Sequence, residues 1–196
     1  AVAHSCGAIA EQRGLKQSTR RRSYFFYCIN ETPAAQRPTK KMIEIERKFR
    51  VTHLDCLQFA QRSYRISQGY LSTDPARTVR VRTKDSSGFL TIKGSSSSDG
   101  SSRYEWEKEI PVDDALELLK LCLPEPIYKV RHLIPAGKHT YEIDVFEGAN
   151  AGLVIAEIEL ERADEPFDRP DWLGEEVTGD ARFYNAFIAE NPFNTW

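Results

Sequence analysis

From residue 42 onward the chain alternates apolar and charged residues with a period of two, and the charged side of each stretch tends to a single sign. Side chains at i and i+2 share one face of a β-strand. Candidate strands therefore run over 42–51, 63–71, 77–84, 88–94, 102–111, 127–135, 139–147 and 152–162. Gly88, the serine tract 95–102, Gly137–Lys138 and Gly148–Gly152 supply turns between them, and Gly94–Ser102 reads as a mobile loop. Helices are expected near 53–61, over Val112–Leu121 and over Asp180–Glu190. Eight antiparallel strands with few helices point to a closed barrel or a sandwich.

The faces carry the functional information. Glu44, Glu46 and Lys48 share one face, with Ile45, Phe49 and Val51 behind them and Arg47 among these as an exception. Arg80 and Arg82 align, as do Arg103, Glu105 and Glu107, with Lys108 out of place on the apolar side. Lys129 aligns with Arg131, Glu142 with Asp144, and Glu157 with Glu159 and Glu161. A half-solvated antiparallel sheet is the ordinary source of such a pattern. Solvated faces usually mix signs, however, and like charges facing each other destabilise a sheet. Charges sorted by strand make sense where they converge on a ligand of both signs: divalent cations for the carboxylates, phosphates for Arg and Lys. That arrangement is a barrel with polar residues inside, apolar residues outside and helices over the exterior.

Charge and length narrow the alternatives. The 196 residues hold 27 Lys plus Arg against 29 Asp plus Glu, but residues 1–41 alone hold eight bases and two acids. The remainder carries a formal charge of −8, unlike a chain that binds nucleic acid without specificity through a net basic surface. The leading segment has no regular apolar period and is expected to be disordered or outside the native fold. Its composition also fits a transit peptide. The one Met, Met42, stands directly before the first strand-like run. The longest apolar run, Tyr24–Ile29, is far short of the roughly 18 residues of a membrane span. Four cysteines without a CxxC pair point to neither a zinc framework nor a disulfide scaffold, and so to a reducing compartment.

The run Glu44-Ile45-Glu46-Arg47-Lys48 resembles the ExExK signature that opens the CYTH domain, or triphosphate tunnel metalloenzyme, family. The resemblance extends through Gln68-Gly69-Tyr70-Leu71, Arg80-Val81-Arg82, Leu90–Gly94, Arg103–Glu107, Lys129–Arg131, Tyr141–Asp144 and Ala156–Leu160. It covers essentially all of 42–196, and the layout is most similar to the short bacterial-type inorganic triphosphatases. It implies a mainly β fold: an eight-stranded antiparallel closed barrel with a few helices packed outside, whose tunnel takes a linear triphosphate.

Residue by residue, the resemblance implies Mg²⁺ or Mn²⁺ ligands at Glu44, Glu46, Glu157 and Glu159, with Glu105, Glu107 and Asp144 as supplementary carboxylates and Glu142 less clearly so. It implies phosphate grips at Arg80, Arg82, Lys93, Lys129 and Arg131, and a carboxylate or phosphate partner at Arg103. Tyr70 would close one tunnel mouth and contact substrate. Lys48 has two readings: a lysine of lowered pKa that positions or deprotonates the attacking water, or one more phosphate clamp. His53, His132 and His139 match no role and read as structural, and Trp106, Trp172 and Phe183 read as packing aromatics.

The implied reaction is metal-dependent hydrolysis of tripolyphosphate to diphosphate and phosphate. Alternatives on the same tunnel are a class IV-type adenylyl cyclase, a thiamine or nucleoside triphosphatase, and a non-catalytic polyphosphate-binding module. The expected partner is the small-molecule triphosphate, with no nucleic acid and no membrane. A monomer or homodimer in the cytoplasm is expected, or an organelle if 1–41 is a transit peptide.

Overall fold

The structure, a computed structural model, describes residues 43–196. The expectations for residues 1–41 lie outside the described residues. Nine strands form one antiparallel sheet: β1 Ile43–Val51, β2 Arg62–Ser72, β3 Arg77–Lys84, β4 Ser87–Ser96, β5 Ser102–Ile110, β6 Ile127–Ala136, β7 His139–Phe146, β8 Val154–Glu159 and β9 Leu173–Glu176. Their order is β5-β4-β3-β2-β6-β7-β8-β1-β9, and β5 also pairs with β1, so β1–β8 close into a barrel. Closure depends on β1 serving two neighbours: Ile43–Ile45 pair with β5, and Glu46–Arg50 pair with β8. The short β9 joins β1 at Phe49 and Val51.

The alternation places apolar residues outside, where three clusters cover the barrel. Phe49, Tyr141, Ile143, Ala156, Ile158 and Trp172 form the largest, beneath the 3-10 turn Leu54–Phe59. The helix α1 (Val112–Leu119) carries Asp113 and Asp114 in its first turn, where acids suit the helix dipole, and buries Ala115 and Leu119 against Val81. Its following turn comes so close to β2 that a Cβ on Gly69 would lie 2.7 Å from the Cβ of Cys122. The third cluster joins Ile127, Leu153, Ile155, Val177, Phe183 and Ile188, and sets the helix α2 (Asn185–Glu190) against the barrel.

Several elements differ from the sequence expectation. The last barrel strand ends at Glu159, so exposed Glu161 is not on the inner face. The stretch expected as one helix over 180–190 is a 3-10 turn, Ala181–Phe183, followed by α2. The helix near 53–61 is likewise a 3-10 turn. The serine tract is a tied hairpin connection: Ser97 Oγ and Ser101 Oγ both donate to the Asp99 carboxylate, and Ser97 N donates to Ser102 O at 2.7 Å. Cys56 and Cys122 are buried and free. Among the described residues no helix is long and apolar enough to cross a membrane.

Candidate functional site

Inner-face parity delivers the charged residues to one cavity of about 670 Å³ along the barrel axis. Glu44, Glu46 and Lys48 reach it from β1, Tyr70 from β2, Arg80 and Arg82 from β3, and Lys93 from β4. Arg103, Glu105 and Glu107 come from β5, Arg131 from β6, Glu142 from β7, and Glu157 and Glu159 from β8. A solvated charged sheet is thereby excluded: Lys48, Arg80, Lys93 and Glu157 are all buried.

Opposite charges from different strands pair inside the tunnel. Lys48 Nζ lies 3.0 Å from Glu46 and also bonds Glu157, directly opposite it on β8. Lys93 reaches Glu44 at 2.8 Å and Glu105 at 2.6 Å. Arg103 bridges Glu44 at 3.1 Å and Glu46 at 3.3 Å, so of its two expected partners it takes carboxylates. Arg82 donates to Glu107 at 3.0 Å and Arg80 at 3.3 Å, while Thr91, fully buried, donates to Glu107 at 2.7 Å and accepts from Arg80. Removing charges from water costs several kcal/mol per ion, of order, unless each is compensated, and these cross-strand pairs supply the compensation.

Two expected contacts lie behind the wall instead of on it. Asp144, fully buried, receives both nitrogens of an Arg131 fork at 2.6 Å and Lys129 Nζ at 2.5 Å. Lys129 also reaches Asn185 of α2 at 3.3 Å. Neither Asp144 nor Lys129 lines the cavity, whereas their partners Arg131 and Asn185 do. Burial pushes Lys129 down to about 8 against the pull of Asp144.

The electrostatics of the wall follow from these pairs. Burial opposes the charged form of Lys48, but Glu157 and Glu46 outweigh it and hold its pKa above the ordinary lysine value. The lowered pKa expected for Lys48 is therefore not its state in the free protein, where its flanking carboxylates are close enough to dominate. Burial likewise opposes ionisation of Glu157, yet Lys48 and Arg131 hold its pKa well below the usual carboxylate range. Burial, then the neighbouring Arg80, pull Arg82 below its ordinary value.

Two features test what the cavity can hold. The Nε atoms of Arg80 and Arg82 are buried without an acceptor, which leaves donors for an anion. Among the described residues no group of three or more His, Cys, Asp or Glu forms a ready metal cage. Glu46 and Glu159 nevertheless face each other across the β1–β8 ladder. Two carboxylates with open space beside them suit a hard cation that keeps several waters and shares phosphate oxygens with its substrate.

Most residues missed in the sequence carry no formal charge, although Asp74 and Glu190 also line the cavity. Thr91 and Gln68 sit at inner-face parity, two residues from Lys93 and Tyr70, and parity alone could have found them. Tyr184, Asn185 and Phe187 line the cavity from the C-terminal segment, where no strand pattern announces them. The exceptional Arg47 points outward, where it forks onto Glu176 of β9 and lies 5.6 Å from the centre of the Phe167 ring. His139 bonds Glu165 on the exterior, a structural role.

Comparisons with known proteins agree with this geometry. The CYTH domain family matches residues 42–184. An inorganic triphosphatase of Acetivibrio thermocellus is 44% identical over 154 residues, covering 78% of this chain and 97% of that protein. An inorganic triphosphatase of Nitrosomonas europaea is 35% identical over 154 residues, covering 76% and 97%. Among solved structures, one of an inorganic triphosphatase superposes with a TM-score of 0.54 at 30% identity, covering 74% of this chain and 93% of the other. A Hippeastrum protein named for adenylyl cyclase and said to have a dominant triphosphatase activity shares the fold, with a TM-score of 0.51 at 16% identity over 61% of this chain and 80% of that one. With a charged tunnel built from the family's strand positions and a family match over most of its length, the chain belongs to the CYTH domain family.

Proposed function

We propose that the protein hydrolyses inorganic triphosphate to diphosphate and phosphate inside the barrel, with residues 42–196 carrying the activity. The observation that carries this is the pair of buried guanidinium Nε donors on Arg80 and Arg82, left without acceptors although both side chains also pair with Glu107. An unmade buried donor costs free energy that an anion would recover. The inorganic triphosphatases that resemble the chain over nearly their whole lengths supply the substrate class.

Substrate binding exchanges partners. Phosphate oxygens take Arg80, Arg82, Lys93 and Arg131, whose forks and ammonium groups suit multidentate phosphate contacts. Glu44 and Glu157, so released, and Glu46 and Glu159, which face each other across the β1–β8 ladder, become available to a divalent cation, with Glu105 and Glu107 beside them. Tunnel enzymes of this family use a divalent metal; Mg²⁺ or Mn²⁺ fits an all-oxygen donor set. When bound there, such an ion would supply Lewis-acid stabilisation of the phosphoryl group that water attacks. Asp144 acts from behind the wall by fixing the Arg131 fork, and Lys129 neutralises Asp144. Lys48 is charged in the free protein and serves first as a clamp; acting as base would require substrate and metal to draw Glu157 and Glu46 away from it.

A substrate panel tests the proposal. Tripolyphosphate, ATP and thiamine triphosphate are incubated with Mg²⁺ or Mn²⁺, and the products are identified. Phosphate and diphosphate in equal amounts from tripolyphosphate, faster than from the organic substrates, is the expected result. Cyclic AMP from ATP would favour a cyclase, and binding without turnover a non-catalytic module.

A further inference from the structure

Behind Tyr70, on the same face of β2, stands a residue to which the reaction above gives no part. Gln68 is completely buried and does not line the cavity, whereas Tyr70 does. The Gln68 amide donates from Nε2 to the Tyr70 hydroxyl at 3.1 Å, and its own Oε1 has no partner. Across the ladder on β3, Arg82 faces Gln68 and Arg80 faces Tyr70. Both are groups that only donate; the amide N–H goes to the phenol and its oxygen bonds neither. A phenol oxygen occupied in this way retains its O–H for another acceptor, and among the described residues none takes it.

We propose that Gln68 is a positioning residue for the tunnel reaction: it holds the Tyr70 phenol so that the O–H donates to a triphosphate oxygen beside Arg80. The inference rests on the triphosphatase reading and adds to it a neutral donor among the charged grips. Tyr70 keeps its proton throughout; nothing is transferred. Burial pushes its pKa up to about 12, so the donor stays intact over the working range. A neutral donor has a use that another cation lacks here, since burial and mutual repulsion already press on Arg82 beside Arg80.

The test compares wild type, Tyr70→Phe, Gln68→Met and the double variant by kcat and KM for tripolyphosphate with Mg²⁺, with unliganded melting temperatures as the folding control. Tyr70→Phe is expected to lose about ten- to a hundredfold in kcat/KM, the range of a hydrogen bond to a charged group. Gln68→Met should lose less, and the double variant should match Tyr70→Phe within about twofold, because Gln68 acts only through the phenol. If Gln68→Met does not fold, Gln68→Glu carries the same test: a carboxylate can only accept, takes the phenol hydrogen, and should reproduce the Tyr70→Phe loss. An active wild type with Tyr70→Phe unimpaired, or single losses that multiply in the double variant, would overturn the inference alone. A folded wild type that neither binds nor hydrolyses tripolyphosphate would overturn the triphosphatase reading and this inference with it.

Discussion

Glu46 on β1 and Glu159 on β8 are direct cross-strand partners on the inner wall of the barrel. Like charges so placed destabilise a sheet by a few tenths to about 1 kcal/mol. Lys48 and Arg103 offset the charge of Glu46, and a cation that both carboxylates could ligate would add to that compensation. Glu159→Gln keeps the side chain's shape and is expected to change the unliganded melting temperature little, while metal-dependent turnover falls by roughly a hundredfold. Thermal melts without ligand, set beside phosphate-release rates, check both halves. A variant that melts lower and turns over normally would assign Glu159 to the scaffold.

Asp144 behaves in the opposite way. It is fully buried and holds both Arg131 and Lys129, so Asp144→Asn leaves two cations short of a counter-charge. Breaking such a buried set by removing one partner costs about 3–5 kcal/mol. Denaturant unfolding should show that loss without any ligand present. A variant of native stability would mean that the Arg131 fork finds equal compensation from Glu142 and Glu157.

The exterior offers a pH dependence free of the tunnel. Glu165 accepts from Lys138 and from the backbone N–H of Glu161, with His139 and the N–H of Arg162 adding to them, and together these hold its pKa down to about 2. A carboxyl depressed in the folded state stabilises above its unfolded value and loses that contribution as pH falls through the folded one. Glu165→Gln should thus lower the melting temperature at neutral pH. The gap to wild type should start to narrow near pH 4.5 and close towards pH 2. A gap constant down to pH 2 would show that packing, not charge, sets the effect.

Removal of the metal gives another clear expectation. No ready cage of three or more ligating groups exists among the described residues, so the cation should bind weakly alone and more tightly with the triphosphate. Titration of Mg²⁺ with and without a non-hydrolysable triphosphate analogue measures this coupling. Excess chelator should abolish turnover and leave the unliganded melting temperature in place. Undiminished turnover in chelator would take the metal out of the mechanism.

The barrel and most of its wall were legible because a two-residue period reports directly which side chains share a face. Parity put Glu44, Glu46 and Lys48 on one face and set Arg47 apart, while the sorting of charge sign by strand and the family resemblance pointed that face inward. The reason for that exception was not legible, since Glu176 belongs to a four-residue strand too short to show alternation. Parity says nothing of depth. Lys129 and Asp144 have the inward phase yet sit behind the cavity, because Arg131 lies over Asp144 and α2 meets Lys129. The Lys48 environment was not legible for a related reason: its partner Glu157 lies 109 residues away, and cross-strand register is fixed only by the folded ladder. Gln68 and Thr91 stood within the family runs but were given no site role, because attention to charge passes over neutral residues at the same parity.

The central claim is that the inner faces bind and cleave a triphosphate, and Arg82 tests it most directly. Phosphate release from tripolyphosphate with Mg²⁺ is measured for wild type and Arg82→Ala, together with the melting-temperature rise each shows on adding the substrate and metal. Wild type should release phosphate and show a clear rise, by linkage to native-state binding. Arg82→Ala should lose roughly a hundredfold in rate, as for a lost transition-state contact, and show a smaller rise. Equal rates and equal thermal shifts in the two proteins would contradict the claim.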